Sequence, residues 1–139
     1  PTHPRRKADR TALTKDRQSF EREGRQVTDP LAAGATVYAG SMYVLDASGN
    51  ATPATAAATT PVRALARTRA STAQGDAFVD GTLGCFCLDN STGADEIKRP
   101  DIGSACYAAD DQTVKKTGTC KAGVVVDVDT RGVWVRVGV

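Results

Sequence analysis

Histidine is almost missing from this chain: His3 is the only one in 139 residues. A nucleophile needs a base beside it, so no Ser–His or Cys–His arrangement can be assembled. The G-x-S-x-G elbow is absent, and Gly34, Gly40 and Gly49 are not followed by the Lys-Ser/Thr of a phosphate-binding loop. An enzyme is therefore not expected. The four cysteines, Cys85, Cys87, Cys106 and Cys120, contain no C-x-x-C pair, so zinc-knuckle spacing is absent and no metal or cofactor is expected. They read as small buried hydrophobes with free thiols in a reducing compartment, although Cys85 and Cys87 fall on one side of a strand. A Cys106–Cys120 bridge across neighbouring strands is the alternative, and nothing in the spacing requires it. The tight acidic pairs Asp110–Asp111 and Asp127/Asp129 have no third ligand nearby in sequence. Turn hydrogen bonds or a solvated edge explain them better than a metal. No apolar run approaches membrane-spanning length, and no charged-then-apolar signal segment opens the chain; no membrane partner is expected. Pro1 fits a start whose initiator Met has been removed.

Aromatic residues make up only 5% of the chain; Ala, Val, Thr and Gly dominate. Such a core has modest apolar volume, so burial against further copies or another protein would help it. The charge is small overall, +2, but unevenly placed. Residues 1–27 hold eight basic residues against four acids, and residues 28–139 hold ten against twelve. A basic arm thus precedes a slightly acidic body. Leu13 and Phe20 are nearly the only large apolar residues of the first 26. A short helix over residues 15–23 suits their composition, but it would have almost no face to bury and would not hold alone in water. The arm is expected to order against a partner.

From Val27 onward the texture is short strands and turns. Strands are expected at residues 36–39, 42–46 and 62–67, then at Ala105–Ala108, 113–116, 123–128 and Gly132–Val137. Residues 47–50 form a turn, and residues 51–60 an irregular loop with a short strand. Residues 76–88 form a long apolar stretch, with Gly81 and Gly84 marking bulges. Residues 89–103 are a polar connection. Val124, Val126 and Val128 share one face at period two, as do Val133, Val135 and Val137. With Gly132 free to take positive φ at the turn, the chain closes on a valine-faced hairpin. The expected fold is all-β: a small β-barrel or sandwich (residues 27–139) with an extended or partly helical N-terminal arm (residues 1–26).

Two segments carry a resemblance. CYAADDQTVK (106–115) followed by AGVVVDVDTRGVWVRV (122–137) resembles the capsid decoration, or cement, proteins of tailed bacteriophages, Mu-like transposable phages in particular. GATVYAGSMYVLDASGNATPA (34–54) and AFVDGTLGCFCLDNS (77–91) agree with it more weakly. The resemblance runs from Val27 to the end and leaves the first 26 residues outside.

The resemblance implies a minor capsid protein without catalytic role. It would be made in the host bacterial cytoplasm and would bind the outer surface of the mature virion head, stabilising it by clamping neighbouring major capsid protein subunits. It also implies a homotrimer at threefold positions. The arm would reach over the coat, with Arg5, Arg6, Lys7, Arg10, Arg17, Arg22 and Arg25 forming ion pairs and Leu13 and Phe20 as apolar anchors. One alternative is a nucleic-acid-associated packaging accessory using the same arm. The four acids halve the arm's net charge and base-stacking aromatics are missing, so nucleic acid is not the expected partner. Another alternative is a tail or fibre module binding a host surface.

Overall fold

The computed structural model describes residues 12–20, 22 and 24–138. Short β-prone runs separated by glycine-bearing turns fold as strands throughout, with only three one-turn 3-10 segments among the described residues. The strands are β1 (Gln26–Pro30), β2 (Thr36–Val37), β3 (Met42–Leu45), β4 (Ala51–Pro53), β5 (Val62–Ala66), β6 (Ala70–Ser71), β7 (Phe78–Thr82), β8 (Gly84–Asn90), β9 (Ala105–Ala108), β10 (Thr113–Lys115), β11 (Lys121–Asp129) and β12 (Gly132–Val137). The fold is all-β.

The C-terminal half closes on itself. Strands β10, β8, β12, β11 and β9 form a five-stranded barrel, which leaves no free edge. Its pairs are antiparallel except β10 with β8, which run parallel with Thr113 beside Asp89. The other half is a five-stranded antiparallel sheet in the order β1-β7-β5-β3-β4. That sheet rolls until its edges meet. Leu31, just past β1, forms a single parallel bridge to Ala51 of β4, and the Ala32 N–H donates to the Ala51 carbonyl at 2.9 Å. A small ribbon of β2 and β6 completes the body.

Two apolar cores follow from the two rolled sheets. The barrel core holds Leu88, Ile97, Cys106, Val114, Cys120, Val125, Val133, Val135 and Val137, joined by Met42, Val44 and Val62 from the other sheet. The second core holds Leu31, Val37, Tyr43, Ala51, Ala64, Ala66, Ala70 and Val79. Strand β3 is the wall between them: Met42 and Val44 face the barrel, and Tyr43 faces the second core. Buried on both faces, it carries the near-continuous apolar run that such a strand needs.

The valine alternation holds for β12, where Val133, Val135 and Val137 are all fully buried. It fails for β11. The buried valine there is Val125, while Val126 is 38% exposed. The pairing with β12 shifts between Val125 and Asp127, and the one-residue bulge reverses which side chains face inward. The single apolar stretch over residues 76–88 is really two strands in different sheets, with Leu83 at the crossing. Gly81 marks no bulge. It lies under Tyr43, where a Cβ would collide with the phenol hydroxyl and with the Ala64 methyl.

Two further details escape the sequence pattern. The polar connection after β8 sends Ile97 into the barrel core, 1% exposed. The Asn90 side chain clamps its backbone, donating to the Ile97 carbonyl at 2.8 Å and accepting from the Ile97 N–H at 2.9 Å. Strand β1 has no clear sequence signal, because Asp29 and Pro30 are poor strand formers.

Candidate partner-binding surface

The arm enters the body at β1. Its root is fastened by the Arg25 carbonyl, which accepts from the Leu83 N–H at 2.7 Å. Upstream, the described residues 12–20, 22 and 24 are all exposed and belong to no strand or helix. The helix expected over residues 15–23 is not formed at any described position of that range. An isolated turn of polar residues has no packing to offset its nucleation cost. Leu13 is 69% exposed and Phe20 99% exposed. Arg17 and Arg22 are exposed as well. Arg5, Arg6, Lys7 and Arg10 lie outside the described residues. None of the described residues upstream of Arg25 joins either apolar core, whereas Arg25 and Gln26, at the root, are bonded to the body.

The body adds two exposed aromatic side chains. Tyr38 is 55% exposed, with the Arg69 guanidinium 5.4 Å from its ring centroid. Phe78, at the start of β7, is 61% exposed and stands opposite Pro30 of β1. Exposed aromatics and arginines of this kind are what protein interfaces favour.

One buried polar group anchors the second sheet. Asp29 is 6% exposed and accepts at one oxygen from the Tyr43 hydroxyl at 2.8 Å and the Arg63 Nε at 3.1 Å. Burial, and then the hydrogen bond to Asp29, push the Tyr43 phenol far above its usual value. The three side chains tie β1, β3 and β5 together.

The paired acids are engaged in turns. Asp110 accepts from the backbone of Gln112 and Thr113 at 2.9 and 2.8 Å. Asp129 accepts from the Arg131 N–H at 2.8 Å and from the Trp134 indole at 2.9 Å. These bonds, the indole's first, hold its carboxyl below the usual range. Asp127 caps the Val128 N–H and meets Arg99 at 3.2 Å.

The cysteines divide. Cys106 and Cys120 are fully buried free thiols, as read from the sequence. Burial pushes the Cys106 thiol up to about 11 and raises Cys120. Cys85 and Cys87 are exposed, which corrects the expectation that they are buried and shielded. The reason is register: Leu88 points into the barrel, so Cys85 and Cys87 alternate outward with Asp89. Burial of Leu88 in the pattern C-F-C-L-D was the available signal.

Searches of protein-family models, curated proteins and solved structures find no match to the chain.

Proposed function

We propose that this chain is a decoration protein of a tailed-phage head, bound to the outer face of the shell and clamping neighbouring major capsid protein subunits. The observation that carries the reading is the arm. It presents Phe20 and Leu13 to solvent while lending nothing to either apolar core among the described residues. A phenylalanine 99% exposed on a basic segment is a side chain awaiting a pocket. The segments at 106–115 and 122–137 that resemble phage cement proteins support the same assignment.

On this reading the β-body is the rigid seat and the arm is the strap. Binding only the assembled lattice lowers the free energy of the intact shell relative to the broken one. Many copies, each weak, add through the shell's repeat. Homotrimers at threefold positions would present three arms to surrounding coat subunits.

The test is a capsid-binding titration of the full chain and of a chain lacking residues 1–24, at two salt concentrations. The truncated body keeps its unfolding midpoint, since both cores lie downstream, and loses most of its affinity. Phe20→Ala weakens binding by about 1–3 kcal/mol. Charge reversal at Arg17 and Arg22 acts mainly at low salt, because exposed pairs are screened within about 10 Å at 0.1 M ionic strength. A truncated body that decorates capsids as tightly as the full chain would place the binding energy elsewhere.

A further inference from the structure

The outer wall of the closed barrel carries chemistry that capsid binding does not use. Cys85 and Cys87 project from β8 to the same, exposed side. In the register with β12, Cys85 stands opposite Arg136 and Cys87 opposite Trp134. The indole is pinned by its bond to Asp129 at 2.9 Å, so the ring is a fixed neighbour of Cys87. From this arrangement we infer that Cys85 and Cys87 form a two-thiolate site for a soft monovalent cation of the copper(I) class, flanked by Trp134 and Arg136.

Strand geometry selects this ligand over the alternatives. Same-face neighbours on a strand lie about 6.6 Å apart at Cα, and their Cβ atoms stay well beyond the roughly 3.8 Å that a disulfide needs. Bridging the two would pull β8 out of its ladder with β12. Two metal–sulfur bonds of about 2.3 Å, the length found for zinc, span roughly 4.6 Å in line, which side-chain rotation covers. The Cys87 sulfur now rests against the position of Gly132 and turns toward Cys85 by a change of rotamer on an exposed side chain. A tetrahedral ion would want four donors, and the described residues hold no cluster of three metal-ligating side chains. Soft thiolate pairs favour copper(I). Binding converts two thiols and one monovalent cation into a bis-thiolate complex of charge −1 and two released protons. Arg136, opposite Cys85, and Arg131 oppose that charge, while burial and then the Asp129 carboxylate hold the Cys87 thiol above its ordinary value and Asp89 adds to them.

The experiment uses the full chain and copper(I) under argon against a competing chelator. One ion binds per chain, on a monomeric mass, and two of the four thiols become unavailable to a thiol reagent. Emission from Trp134, the sole tryptophan, is quenched. Affinity rises by about 100-fold per pH unit below the thiol titration range, because two protons leave. Cys85→Ser and Cys87→Ser each lower affinity at least about 100-fold with unchanged circular dichroism, and Arg136→Gln lowers it several-fold. Brief alkylation of the native protein, reaching only the exposed pair, gives the same loss without a substitution. The inference is overturned if the double serine variant retains the ion, if one ion binds per two chains, or if the chelator strips the protein completely. None of these outcomes bears on capsid decoration, which rests on the arm.

Discussion

Tyr43 shows how one side chain can fix a glycine, a charge and a pH response together. Its ring occupies the space that a side chain at residue 81 would need, so Gly81→Ala should cost about 1–3 kcal/mol by overpacking, read as a lower urea midpoint. Its hydroxyl gives Asp29 one of two partners. Tyr43→Phe removes a buried hydrogen bond to a charged group, an expected loss of about 1.5–3 kcal/mol. The pH response follows chiefly from Cys106 and Tyr43, with Cys120 raised by burial in the same direction. The folded state keeps protons on Cys106 and Tyr43 that the unfolded chain releases near their ordinary values of 9.0 and 10.0. Stability from these groups is therefore complete below about pH 9. It declines as pH rises through the Cys106 range toward about 11, and Tyr43 adds to the decline above pH 10. Each group contributes up to about 1.4 kcal/mol per pH unit while the unfolded form alone titrates. Urea midpoints from pH 8 to 11 check the slope, and Tyr43→Phe should flatten its upper part.

Among the elements, the final hairpin separates what the sequence makes plain from what it hides. Strand β12 follows the period-two rule because the extra residue in its pairing with β11 lies on the β11 side and its ladder with β8 is unbroken. Strand β11 breaks the rule because it carries irregularities toward both neighbours, and no residue type marks them in a run of valines. The two faces can be told apart by substitution. Val125→Asp should unfold the barrel by burying an unpaired charge, whereas Val126→Asp should change stability by no more than about 0.5 kcal/mol. Thermal melts of the two variants decide whether the bulge is placed correctly. The same limit explains Ile97: a lone apolar residue in a polar connection gives no periodicity, and its burial depends on a clamp from Asn90. Asn90→Ala should cost about 1–3 kcal/mol and speed hydrogen exchange at the Ile97 amide. All-β character, the turns and most strands were legible because they are local. The second sheet's path was not, since Asp29 in β1 is paired through residues 14 and 34 positions away. The arm's charge and its two apolar residues were legible, and so was its lack of a burying face. The outward register of Cys85 and Cys87 is set by Leu88, which faces inward from the same strand.

At the scale of the molecule, the shared wall decides how the body behaves. Met42 and Val44 are built into the barrel core although their strand belongs to the other sheet. The two halves should therefore melt in one calorimetric transition, and Met42→Ala, at about 2–5 kcal/mol, should lower that transition without splitting it. Beyond equilibrium, the wall also sets an order of events during synthesis. A ribosome delivers β3 well before any strand of the barrel. Until residues 84–137 have emerged, Met42, Val44 and Val62 have no cover on their barrel side. The first half of the chain must wait, sticky on one face, for the second half to be translated. A nascent chain stalled near residue 83 should therefore recruit a holding chaperone, and release of the finished chain should end that recruitment.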